Sequence, residues 1–447
     1  MRSLRPRGGL WSHADFLKLW TGQSISEFGS QISALAIPWL AAVELHASPF
    51  AFSILGMLGF LPFILFALPA GVWVDRLRRR PILIVGDAAR AVLLALIPLL
   101  WAMNDLRMWH LLVIQFVVGV FTVFFDVAYQ SYLPSLVDRR DLVDANAKLQ
   151  MTVSTATVAG PSVAGALISA LTAPYAIVAD AVSFAASTAF MVPIRRVEQP
   201  PERAHGEAKP RMLPELKEGL MYVVRHPYLR AIAACTGSSN FFGSIGFTIA
   251  LLYFVRTLHL SSLEVGVVFA VFGAGSIIGA LAANRVQRAI GVGPAIVLPA
   301  ILFPLASFAV PLAPKDFALP VLVVGSLIGG YSQVAYNITQ VSLRQAITPE
   351  RLQGRMNASM RWIVWGTLPL GQLAGGALAS AFGLRAALWV GAVGSCFTFL
   401  PVLLTSVRSI GEMPEPIVEP TPAEAELAAG IVAAPTAPDV VASSDHP

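Results

Sequence analysis

FSILGMLGFLPFILFALPAGVWVDRLRRRPILIVGDAARAVLLALIPLLWA occupies residues 52–102. It holds two apolar runs of about 20 residues each, the length needed to cross a bilayer, with an arginine-crowded loop between them. Backbone amides in lipid must be satisfied within their own segment, so such runs read as helices; the weak alternation expected of barrel strands is missing. The same reading places candidate spans at 16–43, 50–72, 82–103, 109–132, 147–171 and 174–194, then at 229–255, 263–284, 294–313, 318–343, 356–382 and 384–406. The expectation is an all-α membrane protein of twelve transmembrane helices. Composition agrees, since 56% of the 447 residues are hydrophobic and 13% charged, well below the charge of soluble domains. The basic start (Arg2, Arg5, Arg7) leads into a polar-striped helix with no small-residue cleavage site, so no cleavable signal peptide is expected.

Loops after even-numbered spans carry Arg76, Arg78, Arg79, Arg80, Arg139, Arg140, Arg195, Arg196, Arg285, Arg288, Arg344, Arg351 and Arg355, against Arg107, Arg256, Lys315 and Arg385 on the other side. Short basic loops stay cytoplasmic, which puts both termini inside the cell. The net charge of +5 follows from this topology, and no nucleic-acid partner is expected. Trp101 and Trp109 flank a loop of the opposite side, as interfacial aromatics do. Cys235 and Cys396 lie in apolar helices without a CxxC or His partner and read as small buried hydrophobes. No metal site or cofactor is expected.

Residues 195–228 are the one long polar interruption, Pro-rich and basic, then amphipathic enough for a surface helix. They read as a linker between halves at 1–194 and 229–406, while the Ala-, Pro- and Glu-rich stretch 407–447 reads as a disordered cytoplasmic tail. The halves repeat. Gln130, Leu133 and Leu142 fall on Gln340, Leu343 and Leu352 at an offset of 210 (340 − 130), and GPSVAGAL from Gly160 falls on GQLAGGAL from Gly371 at 211 (371 − 160). Parallel six-helix repeats with a site between them are a common transporter plan.

Polar residues recur on one face of four spans. The first has Gln23, Glu27 and Gln31; the fourth has Gln115, Thr122, Asp126 and Gln130; the seventh has Thr236, Asn240, Ser244 and Thr248; the tenth has Ser332, Gln333, Tyr336, Asn337 and Gln340. Each opens a three-helix group, which suits a cavity lining, though interhelical hydrogen bonds explain any single Ser or Thr.

GVWVDRLRRR from Gly71 resembles the signature loop of the major facilitator superfamily, with Gly71, Asp75, Arg76, Arg79 and Arg80 at its positions and Arg78 where a second Gly is usual. FFDVAYQSYLPSLV from Phe124, ADAVSFAAS from Ala179 and GRMNASMRWIVWGTLPLGQLAGG from Gly354 are similar to its macrolide-efflux and enterobactin-exporter branch, over about residues 12–408. The resemblance implies two pseudo-symmetric six-helix bundles working by alternating access. It also implies a latch in which Asp75 meets the positive N-terminal end of the eleventh span in the outward-facing state. Asp126 pairing with Arg79 or Arg80 would compete, and a plain structural ion pair is the alternative. AGPSVAG from Ala159 resembles the antiporter motif through Gly160, Pro161 and Gly165, with Ala156 and Ala164 replacing expected glycines. Gln115 stands where many proton-coupled exporters carry an Arg. Asp87 with Arg90, and Asp180, read as packing groups; Arg361 reads as a snorkelling residue.

The expected function is efflux of a small amphipathic molecule in exchange for protons, by a monomer in the bacterial inner membrane. No GxxxxGK[ST] sequence supplies ATP chemistry, and no catalytic constellation suggests an enzyme. A symporter or lipid-moving relative of the same fold, and a non-transporting receptor or scaffold, are the alternatives. Glu27 is the expected proton-coupling carboxylate, because a carboxyl near the bilayer midplane is costly to ionise. A permanently protonated Glu27 bonded to Gln23 or Gln31 is its rival, and Asp126 is the second candidate.

Overall fold

The computed structural model describes residues 10, 13–74, 76–138, 141–194 and 212–414. Asp75, Arg139, Arg140, Arg195, Arg196, the first part of the linker and the tail beyond residue 414 lie outside the described residues. Every regular element described is helical. The first six are α1 (Ala14–Val43), α2 (Pro49–Val74), α3 (Arg79–Ala102), α4 (Met108–Leu136), α5 (Leu142–Leu171) and α6 (Ala173–Met191). A shorter α7 (Met212–Arg225) precedes α8 (Pro227–Arg256), α9 (Ser262–Ile290), α10 (Val292–Ser307), α11 (Ala309–Leu312), α12 (Ala318–Ala346), α13 (Glu350–Phe382), α14 (Leu384–Ser395) and α15 (Leu400–Leu403).

Local chemistry sets several boundaries. Ser261 and Glu264 form a reciprocal capping box at the start of α9, the backbone N–H of Glu264 donating to Ser261 Oγ and that of Ser261 to Glu264 Oε2. Pro311 has no N–H to give Ser307, and α10 stops there before one more turn, α11. Where α5 meets α6, α9 meets α10 and α13 meets α14, the chain reverses through Thr172, Gly291 and Gly383 at φ of 74°, 90° and 88°. Thr172 and Gly383 are 211 residues apart (383 − 172), the offset of the Gly160 and Gly371 motifs.

Among the described residues, ten helices are long and apolar enough to cross a membrane. The other two expected spans, α1 and α13, run 30 and 33 residues but fall outside that set. The reason is chemical: α1 carries Asp15, Lys18, Gln23, Glu27 and Gln31, and α13 carries Arg351, Arg355, Asn357 and Arg361. Both are enclosed by other helices, α1 by α5 and α6, α13 by α8 and α2. Large apolar side chains such as Val92, Leu99, Val182 and Leu281 face outward, the reverse of a soluble protein.

Packing repeats with the sequence. In the first group α1 lies on α5 and α6, α2 on α4, and α3 on α4 and α6; in the second α8 lies on α13 and α14, α9 on α12, and α10 on α12 and α14. The main contacts between the groups are α5 with α9 and α2 with α13, equivalents of each other under the repeat, and α1 and α2 each touch α8 as well. At the end remote from the arginine-rich loops a single apolar core runs through both groups, from Leu40, Ala41 and Ile168 to Phe254, Val265 and Ala387. At the arginine-rich end there are two separate cores, one around Phe16, Leu83 and Tyr132, the other around Ile232, Ile296 and Met356. The structure is sealed at one end and divided at the other.

The chain stays ordered into the expected tail. The N–H groups of Val292 and Gly293 donate to the carbonyls of Gly411 and Ile410, and Val407 is fully buried. These bonds satisfy donors at the first turn of α10 that have no partner within the helix.

Candidate functional site

The polar centre of the first group is built around Arg90. Its guanidinium is almost wholly buried, forms an ion pair with Asp87 one turn earlier on α3, and lies between the rings of Phe125 (α4) and Phe184 (α6), with Cζ 4.3 Å from each centroid. Two aromatic faces and a carboxylate are what a guanidinium needs when water is excluded. The same charge acts electrostatically on Glu27 of α1, Asp126 of α4 and Asp180 of α6. Glu27 and Asp126 are close enough to act on each other, and Tyr129 feels both. The Gln23 side-chain amide donates to Glu27 Oε1 at 3.3 Å. Gln23 Oε1, the Tyr129 hydroxyl and Asp87 Oδ2 have no hydrogen-bond partner among the described residues. Acceptors and donors left open around an acidic pair are equipped to hold water, a proton or a ligand group.

Asp180 accepts a hydrogen bond from Ser183 at 3.1 Å beneath Gly29, where α1 and α6 approach so closely that a Cβ would collide with both side chains. This matches its expected packing role. Gln31 lies a turn beyond Glu27 against Gly160 of α5. Gln115 packs toward Gly59 of α2, and the Thr122 hydroxyl donates to Val118 O of its own helix. The expected stripe of the first group thus divides: Gln23, Glu27 and Asp126 converge, Gln31 packs its stem on Gly160 one turn further on, and Gln115 and Thr122 make contacts between or within helices.

In the second group the polar residues are bonded to one another or to backbone, with Gln340 Oε1 left open among the described residues. The Thr236 and Tyr336 hydroxyls are 2.8 Å apart, the Asn240 amide donates to Val364 O at 3.0 Å, and the Gln340 amide donates to Asn337 Oδ1 at 3.0 Å. Ser244 is buried beside Gly371. No acid stands among them. Among the described residues the acids of the site belong to the first group, while the second places Arg344 of α12 near Tyr336.

The seam at the sealed end is made by the helix-5 motif. A Cβ at Gly165 would lie 2.5 Å from Ser262 O, one at Gly266 would lie 2.6 Å from Pro161 O, and Ser262 donates to Gly165 O at 3.1 Å. Gly165 and Pro161 therefore let α5 and α9 meet backbone to backbone. Arg256 at the end of α8 donates to Ala42 O at 3.1 Å and Ala47 O at 2.8 Å of the first group. At the arginine-rich end an added Cβ at Gly71 or Gly354 would meet none of the described residues within 4 Å. Arg76 is exposed there, and Arg80 donates to Val192 O. The first turns of α13 are held by α7: Glu218 pairs with both Arg351 and Arg355, the Tyr222 hydroxyl donates to Ile347 O at 3.0 Å, and Gly219 lies against Arg355 O.

This arrangement belongs to a recognised lineage, for the family described as transmembrane secretion effector matches residues 10–428. The chain is a membrane transporter of the major facilitator superfamily. The transporter is 27% identical over 372 residues to the multidrug efflux pump Tap of Mycolicibacterium fortuitum, covering 80% of this chain and 87% of that one. It is 26% identical over 381 residues to macrolide efflux protein A of Streptococcus pyogenes, covering 83% and 90%. Among solved structures, a bacterial homologue of the iron transporter ferroportin in an inward-facing state aligns with a TM-score of 0.68 at 14% identity, covering 87% of this chain and 98% of that one. The nucleoside transporter NupG aligns with a TM-score of 0.70 at 11% identity, covering 88% and 99%. These last two carry the fold alone.

Sequence reasoning missed three features of the transporter. Arg90 reads as half of a local pair, because the acids that share it arrive on other helices. Glu218 sits in an amphipathic stretch whose partner, the start of α13, is more than a hundred residues away. Arg256 was visible as one of very few arginines on its side, and that rarity was the signal for it.

Proposed function

We propose that the transporter is a proton-coupled exporter of a small amphipathic compound, working by alternating access in the bacterial inner membrane. The observation that carries it is the apolar core, continuous across both groups at one end and split in two at the other. A cavity sealed on one side and divided on the other is one of the two states such a cycle needs. With the arginine-rich end in the cytoplasm, this is the inward-facing state. Residues 1–194 and 229–406 then act as the two bundles, joined by 195–228. α1 and α13 complete twelve crossings: their lengths amount to about 45–50 Å, and neighbouring helices cover their polar faces.

Efflux is supported by the relatives named as multidrug and macrolide pumps. Proton coupling is supported by Glu27 and Asp126, two acids of different helices sharing one buried cation. Protonating one of them changes which carboxylate Arg90 has to balance, and that links proton binding to the packing of α1, α3, α4 and α6. The protein acts as a monomer with protons, a small molecule and the bilayer as partners.

The test uses proteoliposomes with an imposed pH gradient and labelled erythromycin or ethidium. Wild type moves the probe against its gradient; Glu27→Gln binds it without pH dependence and loses gradient-driven movement. Normal proton-driven export by Glu27→Gln would remove Glu27 from the mechanism and pass the role to Asp126.

A further inference from the structure

An apolar cavity of about 150 Å³ lies inside the second group, among α8, α9, α10, α11, α12 and α14. Its walls include Phe247, Phe269, Phe272 and Phe303, and Gly246 keeps it open. At Gly246 an added Cβ meets nothing within 4 Å, so absent side chain rather than poor packing makes the space. Of the three serines that line it, two have their hydroxyls engaged by backbone, Ser307 donating to Phe303 O and Ser395 to Gly391 O, and Ser326 is the third. Apolar cavities of about this volume stay dry and accept a single benzene-sized ring.

Position decides what the cavity is for. α8 packs on α13 and α14, and α9 on α12 and α5, which leaves a gap between α8 and α9. Phe247 and Phe269 cross that gap edge to face, with centroids 6.0 Å apart, and Phe247 is 65% exposed. α1 touches α8, α5 touches α9, and α1 packs on α5, so the gap faces the space between the two groups. Phe247 lies nine residues (256 − 247) from the sealed end of its helix, and Gln31 twelve (43 − 31) from the corresponding end of α1. Those separations are about 14 and 18 Å along the two axes. The phenylalanine mouth and Gln31 are therefore at similar depth on opposing groups, with Glu27 one turn deeper.

We infer that the phenylalanine cavity is the apolar subsite for the transported molecule, taking one aromatic ring or a branched alkyl group of that size while the polar part faces Gln31 and Glu27. The inference rests on the transporter reading above and names its substrate class: a compound with a compact apolar ring at one end and a polar or cationic portion within one ring-width. A bilayer acyl chain is the competing occupant, and a long flexible chain matches a compact, glycine-floored cavity less well than a rigid ring.

Two readouts test it, on full-length protein in nanodiscs and in cells. Fluorine relaxation of fluorobenzene should broaden with wild type and not with Gly246→Leu, which fills the cavity. Ethidium, which carries a pendant phenyl ring, should be exported by Gly246→Leu with KM raised about tenfold or more and kcat kept. Gly246→Ala, whose methyl has room, guards against a folding defect and should give a smaller shift the same way. Equal fluorobenzene broadening in all three proteins overturns the cavity. Lost broadening with unchanged ethidium KM overturns the substrate role and leaves the space to a lipid chain. A wild type that exports no ethidium, with broadening still lost in Gly246→Leu, counts against the transporter reading and upholds the cavity.

Discussion

At the scale of single residues, Arg90 decides how the charged centre behaves. A cation with almost no exposure inside a membrane helix is tolerable only while a carboxylate balances it, and Asp87 does so from the previous turn. Removing one partner of a buried pair costs about 3–5 kcal/mol because the other charge is stranded. Asp87→Asn and Arg90→Gln should each lower the thermal midpoint in detergent markedly, while the double variant recovers a large part of the loss. Strict additivity of the two losses would show that Asp87 is not the partner that matters. Spacing makes the Asp87–Arg90 pair legible in the sequence, but not the approach of Glu27, Asp126 and Asp180, which depends on how α1, α4 and α6 are wound around α3. Residues such as Gln115 and Thr122 went the other way: their spacing suited a cavity, and their hydrogen bonds and contacts lie within and between helices.

At the scale of helices, apolar and polar-striped runs were both legible. The run read at 50–72 becomes α2 at Pro49–Val74, and those read at 16–43 and 356–382 become α1 at Ala14–Val43 and α13 at Glu350–Phe382, although the polar side chains of these two take them below the hydropathy of a membrane span. Turn chemistry was legible only in part. Gly383 suits a reversal at φ 88°, yet its repeat equivalent is Thr172 at φ 74° and ψ 160°, a region populated almost solely by glycine. A β-branched residue there stores strain of about 1–3 kcal/mol. Thr172→Gly should therefore stabilise the transporter by about 1 kcal/mol despite the freer unfolded chain, read as a higher unfolding midpoint with transport unchanged. A lower midpoint would mean that the Thr172 side chain contributes more than its backbone costs.

At the scale of the whole molecule, the internal repeat pointed to two related halves, but not to which end of them would be closed. That choice lies in side chains distant in sequence: Arg256 reaching Ala42 O and Ala47 O at the sealed end, and Glu218 holding Arg351 and Arg355 at the divided one. Asp75 lies outside the described residues, yet its expected target, the start of α13, is where Glu218 pairs. Two carboxylates with a claim on the same arginines make the linker helix a counterweight to the signature loop. On the alternating-access proposal, Glu218 would neutralise the end of α13 in the inward-facing state and Asp75 would take that place in the opposite one. Glu218→Gln should then favour closure at the arginine-rich end, and Asp75→Asn should oppose it. Spin labels on the loops after α2 and α12 report the balance, with a larger short-distance population in Glu218→Gln, a smaller one in Asp75→Asn, and an intermediate value in the double variant. Should Glu218→Gln leave the distribution unchanged while Asp75→Asn shifts it, α7 only braces α13, and the switch belongs to the signature loop alone.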